Sequence, residues 1–201
     1  MRPIPLLAIT FGLVIGSVLP FLASSLGSGP RAGTALRMGL EEVFERSDLV
    51  IEGRVRAGLS GRAANGVIYT DWEIEVTRTF WGEDRPTRIV RIPGGMLPNG
   101  DGMLIPGLPR LIEGEDVVLL LGAESSTGLR MPTGLSQGKY RIVVSTAGDR
   151  SAIQTGEHVT LLTTQRARRA EGQQVLDRAE LVARLEAAGQ ARTARTESDG
   201  R

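Results

Sequence analysis

The sequence predicts a mainly β domain with a short helix in front of it and an amphipathic helix behind it. The prediction rests on helical spacing of apolar residues over 36–46, a change to period two from Leu49 onward with glycine and proline punctuating the runs, and a return to helical spacing near Val175. At 201 residues and 41% hydrophobic content the chain holds one core of ordinary size with appendages.

The chain opens with Arg2 and an uncharged apolar run over residues 4–23. Such a run suits an export signal, and its length also suits a membrane-spanning helix. Pro20 followed by the small residues Ala23, Ser24 and Ser25 favours cleavage near Ser25, so residues 1–25 are read as a signal peptide. A retained segment would instead tether the protein to a membrane. Residues 26–35 are rich in Gly, Ser and Pro and are expected to form a flexible leader. The domain is expected over 36–165. Leu36, Leu40, Val43 and Phe44 then fall at helical spacing with Glu41, Glu42 and Glu45 between them, which predicts a short amphipathic helix ending near Ser47.

Residues 49–55 form a β-rich run interrupted by Gly53, a position expected at a bulge or bend. Residues 58–66 are expected to be a loop. Ile68, Thr70, Trp72, Ile74 and Val76 alternate with Tyr69, Asp71, Glu73, Glu75 and Thr77, the pattern of a half-buried strand with Trp72 in the core. A turn at Trp81-Gly82 leads to a shorter strand over 87–92. The stretch 93–114, with Gly94, Gly95, Gly114 and four prolines, is too broken for a regular element and too apolar for a plain linker, so it is expected to pack across one end of the sheet structure. Residues 116–121 are a continuous apolar run after Asp116 and predict a buried central strand. Residues 139–145 and 151–155 predict a hairpin, and 159–163 a last strand. Val175, Leu176, Ala179, Leu181, Val182 and Leu185 lie on one side of a helix expected over 166–189 and stopped by Gly189, with 190–201 a disordered polar tail.

Composition excludes several classes of function. Cys 0 removes disulfides, thiolate metal sites, cysteine nucleophiles and a lipid-anchored lipoprotein. With His 1, most zinc sites and catalytic dyads are gone as well. Lys+Arg 24 against Asp+Glu 23, with 4% aromatic residues, argues against nucleic acid as a partner. The remaining candidates read as structural. His158 lies in an expected turn and lacks the orienting carboxylate and nucleophile that a general base needs. Glu41, Glu42 and Glu45 form a solvated helix face, Glu73 and Glu75 an exposed strand face, and Asn99 with Asp101 offers too few oxygens for calcium. Arg166, Arg168 and Arg169 form a small basic connector. No catalytic residue, metal ligand or cofactor site is assigned.

The order of a helix, Ser47-Asp48-Leu49-Val50-Ile51-Glu52-Gly53-Arg54-Val55, then Ile68-Tyr69-Thr70, Phe80-Trp81-Gly82, Gly94-Gly95 and Gly114-Glu115-Asp116-Val117-Val118-Leu119-Leu120-Leu121 resembles the netrin-like module, the group that includes tissue inhibitors of metalloproteinases. The resemblance covers about 38–145 and implies a five-stranded OB-like Greek-key barrel flanked by helices. It carries over Gly53, Gly82, Gly94, Gly95 and Gly114 as structural turns. It does not carry over the inhibitors' amino-terminal cysteine, which lies against the protease zinc, because this chain has no cysteine.

The function this reading implies is an exported, non-enzymatic binding module. Trp81, Met96, Leu97, Met103 and Leu104, with the rest of 96–108 and the 122–137 loop, are expected to face another extracytoplasmic protein; the resemblance makes that partner a protease, with this chain as its inhibitor or accessory. A contrasting reading is a hydrolase, which requires acidic groups gathered in one cleft with raised pKa values. A membrane-tethered structural protein is the third, and it depends on residues 1–25 staying on the chain.

Overall fold

Most of the period-two runs become strands. In the computed structural model, which describes residues 33–154, 159–162, 169–170 and 174–199, the chain runs β1 (Gly33–Leu36), α1 (Leu40–Glu45), β2 (Leu49–Arg62), β3 (Ile68–Trp81), β4 (Thr87–Pro93), β5 (Gly95–Met96), β6 (Gly102–Met103) and β7 (Asp116–Leu121). A 3-10 turn at Leu135–Gly138 leads into β8 (Lys139–Val144), β9 (Arg150–Gln154), β10 (Val159–Leu162), β11 (Arg169–Ala170), β12 (Gln174–Asp177) and α2 (Arg178–Asp199). The expected signal peptide, His158, Arg166 and Arg168 lie outside the described residues. Among those described, no helix is long and apolar enough to cross a membrane.

The main sheet has seven strands in the order β12-β9-β8-β7-β2-β3-β4, antiparallel throughout. Its centre is β7, whose apolar run is buried because both faces of the sheet are covered. Val118 and Leu120 join Val50, Tyr140, Ile142 and Ala152 under α1 and α2, which contribute Leu40, Val43, Phe44, Leu181 and Leu185. Val117, Leu119 and Leu121 face the other way, toward Ile51, Val55, Ile74, Val90 and Ile92, with Leu108 and Leu111 of the long loop laid over them. The edge strand β4 does not end in solvent along its whole length. The Arg130 amide donates to the Arg91 carbonyl (2.8 Å), while the Thr133 amide and the Gly122 amide tie the same segment to β7 through Leu120 O (2.8 Å) and Met131 O (2.9 Å).

Several sequence expectations are corrected. Residues 33–36, expected in the leader and at the start of the first helix, form β1 and pair in parallel with β10. The first helix is correspondingly shorter and begins after Gly39. β2 runs through Gly58 and Gly61, which were expected in a loop. The reason is cross-strand: the Trp72 ring lies over Gly58 and the Tyr69 ring over Gly61, so closely that a Cβ would come within 2.5 Å and 2.8 Å of them, and aromatic rings thereby cover backbone that glycine leaves bare. Gly53 lies where the β2–β3 register shifts, and a Cβ there would overlap the Glu75 carbonyl oxygen. The 93–114 stretch contains the β5–β6 hairpin. The sheet has seven strands where five were expected; Val175 and Leu176, read as helical, sit instead in β12 and pair with β9.

The largest correction concerns the C-terminus. α2 continues through Gly189 to Asp199. Gly189 does not stop it; the residue is small because α2 crosses there against β3, where a Cβ would sit 3.1 Å from the Phe80 carbonyl oxygen. Beyond it, Arg192 donates to the carbonyls of Ser47 (2.7 Å) and Phe44 (3.3 Å) just after and at the end of α1, and its guanidinium stacks 4.2 Å from the Trp81 ring centroid. Arg195 pairs with Glu45, and Arg184 with Glu41 (2.7 Å).

Burial works to raise the Glu41 pKa, but hydrogen bonds from Arg184 and from its own backbone amide, with the Arg184 charge, outweigh it and hold the carboxyl below its ordinary value. The native state therefore binds fewer protons than the unfolded chain in mild acid, so this stabilisation is present above the unfolded pKa and is lost as pH falls through the folded one. Arg184→Gln is expected to cost about 0.5 kcal/mol at neutral pH, as an exposed pair does, with the difference from the parent shrinking in chemical denaturation as the pH falls through the lowered Glu41 pKa. A difference that persists unchanged in acid would show that Arg184 acts through packing alone.

Tyr140 behaves oppositely. Its hydroxyl lies in the helix-side core and accepts from Gln154 Nε2 (3.1 Å), and burial pushes its pKa up to about 12. The folded state keeps the proton that the unfolded chain loses near pH ~10, so stability from this group is whole below that pH and is lost as pH rises toward the folded value. Absorbance at the phenolate band should show a late component that disappears in Tyr140→Phe. Its appearance at the ordinary tyrosine pH would contradict this packing.

Candidate functional site

The long loop between β4 and β7 is pinned at both ends, and between the pins it stands over the sheet. At its start the chain reverses at Gly94 and Gly95, with φ of 105° and 137°. Gly95 is confined to glycine twice over, by that backbone conformation and because a Cβ would overlap Thr70 Oγ1. At its end, buried Glu115 Oε1 accepts from Lys139 Nζ (2.6 Å) and from the Ile112 amide (2.7 Å), and Lys139 also donates to the Arg110 carbonyl. The sole lysine of the chain is thus spent on anchoring the loop. Gly114, with φ of 84°, opens β7, its amide donating to the Val55 carbonyl (2.8 Å).

Between these anchors lies a cleft of about 680 Å³, within the range of ligand sites. Trp72, Thr70, Ser60 and Gly58 form its floor on β2 and β3, and Met96, Met103, Leu104, Ile105 and Leu108 are among the residues of its walls. Met96 is 68% exposed and Leu104 58% exposed, so the apolar walls reach solvent at the rim. Among the described residues, the one charged residue lining the cleft is Arg110. The polar part of the floor has a defined proton arrangement. Thr70 Oγ1 donates to the Gly94 carbonyl (2.8 Å), which can only accept, so its single proton is used. The 3.0 Å contact between Ser60 and Thr70 is then donated by Ser60, and the floor offers incoming groups oxygen lone pairs and no free hydroxyl proton.

The sequence-predicted contact residues divide. Met96, Met103 and Leu104 come together around the cleft. Leu97 does not line it; its amide donates to Asp101 O (2.7 Å) within the β5–β6 turn. Trp81 lies at the other end of β3, half-buried, edge-on to Phe44 with ring centroids 6.3 Å apart and covered by Arg192. It stands apart from the cleft, and Phe44 and Arg192 cover part of its ring. The aromatic of the cleft is Trp72, which strand alternation assigned to the core; its pairing with Gly58 was the available signal, since an aromatic opposite a bare glycine presents its face. The second half of the 122–137 loop is tied to the fold, while residues 123–127 are exposed. Thr133 Oγ1 meets Ser47 Oγ (2.8 Å), and Gln137 accepts from the Met38 amide (2.8 Å) while donating to Leu36 O (2.9 Å). Gly82, with φ of 95°, packs against Asp48 and Leu49 at the β3–β4 turn.

Most of the acidic groups weighed from the sequence are engaged in pairs, including Glu41 and Glu45 with Arg184 and Arg195. Glu42 meets Arg46 (2.8 Å), Glu75 meets Arg56, and Asp101 meets Arg62 (2.5 Å). Among the described residues, no cluster of three or more His, Cys, Asp or Glu side chains is arranged to hold a metal ion. A second hollow, of about 660 Å³, lies between α2 and β3 and is bordered by the Arg78–Glu186 ion pair (2.6 Å). Compared with protein-family models, curated proteins and solved structures, the chain matches none.

Proposed function

We propose that this protein is an exported, non-enzymatic binding module that captures another extracytoplasmic protein in the cleft beneath the β4–β7 loop. The observation that carries the reading is the combination of exposed Met96 and Leu104 with a Trp72 floor in a preformed hollow anchored by Glu115 and Lys139. Exposed apolar residues around a rigid aromatic are what a binding hot spot requires, and a loop pinned at both ends meets its partner with little ordering cost. The strip 129–133 bridging β4 and β7 supports an OB-like closure of the inner strands, with β8, β9 and β12 as an extension. Together with the netrin-like resemblance this makes an exported protease the partner class to test first. Binding would run through the cleft, since the chain lacks the cysteine that the metalloproteinase inhibitors use.

A photo-reactive residue at Leu104, introduced into the full chain in its native cells, is expected to capture one stoichiometric extracytoplasmic protein, and the same residue at Trp81 to capture none. Intact-mass analysis of the recovered chain should place its start near Ser25. Capture at neither position, or equally at both, would sink the proposal; a chain retaining Met1 and recovered only with membranes would favour the tethered structural reading.

A further inference from the structure

Half of β2 has a strand on one side only. Its pairing with β7 runs from Leu49↔Leu121 to Arg54↔Asp116, while its pairing with β3 continues to Arg62↔Ile68. Among the described residues no strand pairs with the other edge of Ala57 to Arg62. The direction of the free backbone groups follows from the bonds around them. Gly58 N donates away from β3, to Glu113 Oε1 (3.0 Å), and Ala63 N donates to Val67 O (2.9 Å) on the β3 arm of the turn. Ile68, paired with Arg62, gives its carbonyl to Gly94 on the β4 side (2.7 Å). With the period of two, Ala57, Leu59 and Gly61 face β3, and the amides and carbonyls of Ser60 and Arg62 point out along the open edge.

This edge adjoins the cleft, whose floor includes Gly58 and Ser60. It is apolar on its other face too, where Leu59 is 76% exposed. A small molecule filling the cleft would leave Leu59 and the outward amides uncovered, whereas an added strand covers all of them, because its side chains alternate between the two faces. Charge selects further. Glu113 is held by Gly58 and Arg62 by Asp101, but Arg110 at the cleft has no ion-pair partner among the described residues. Accepting that the cleft is the partner site, we infer that the captured segment is an extended peptide that adds as a strand to β2 through Ser60 and Arg62, lays an apolar side chain on Trp72 and sets a carboxylate against Arg110.

The test pans a displayed library of linear peptides of about twelve residues on the full chain and measures the selected peptides by calorimetry. Binders are expected to share an apolar residue and an acidic one, and N-methylation of their backbone should weaken binding about tenfold at alternate positions and little between them. Ser60→Pro, which removes an amide pointing away from β3 and so spares the sheet, should weaken them similarly, and Arg110→Glu should shift selection to basic peptides. Peptides that bind the cleft with full affinity to Ser60→Pro, or show no alternation on N-methylation, overturn strand addition and leave the cleft reading intact. A library that yields no binder blocked by Leu104→Arg overturns both.

Discussion

Arg178→Ala is expected to destabilise the fold by about 3–5 kcal/mol, the cost of leaving one member of a buried ion pair without its partner. Glu52 sits in β2 on the helix-facing side of the sheet, its side chain 7% exposed, and its two oxygens accept from Arg178 Nε (2.6 Å) and an Arg178 terminal nitrogen (2.8 Å) at the start of α2. Glu52→Ala should cost less, because Arg178 is 25% exposed and can turn toward water. The paired replacement Glu52→Leu with Arg178→Met should recover most of the loss, since the pair contributes mainly by not being broken. Urea unfolding of the three variants checks this, and an Arg178→Ala protein as stable as the parent would show that the pair does not hold α2 to the sheet.

Deleting residues 190–201 is expected to cost about 2–4 kcal/mol, from the charge-assisted hydrogen bonds of Arg192 and its stacking on Trp81. The lost contacts would be those to the carbonyls of Phe44 and Ser47, the Trp81 ring and Glu45. Arg192→Ala in the full chain should reproduce most of the effect and move the Trp81 fluorescence to the red as its ring meets water. A deletion that leaves the unfolding midpoint unchanged would return these residues to the status of a dispensable tail.

These two sites mark where sequence reading stops. Glu52 looked like one polar residue in a β-rich run, since nothing near it in the chain pairs with it; Arg178 is brought to it by the fold alone. The polar composition after Gly189 was read as a tail because local propensity sees no apolar stripe there. What orders it are cation contacts to carbonyls and a ring at the other end of the chain, and such contacts leave no periodic trace. Glycines misled in the same way. Gly58 and Gly61 read as loop formers until Trp72 and Tyr69 are seen to cover them.

The candidate site was legible in part. Met96, Met103 and Leu104 stand out as apolar residues in a proline- and glycine-rich stretch, and any fold that kept this stretch on the surface would present some of them. Between the two tryptophans the sequence offered turn position as a guide, and it pointed to Trp81. In the structure Trp72 lines the cleft and Trp81 lies elsewhere, half-buried, because exposure at a turn depends on what packs over it, here Arg192 and Phe44.

Hydrophobic periodicity and composition were enough to establish a mainly β chain with a doubly covered central strand at 117–121, a capping helix on either side of it in the sequence, and no cysteine chemistry. Those properties are local: each depends on neighbours within a few residues, and burial on alternate faces writes them into the order of side chains. The number and order of strands, the reach of α2, the anchoring of the loop by Lys139 and the open edge of β2 beside the cleft depend on pairs far apart in sequence. They are settled by which surfaces meet when the chain closes on itself.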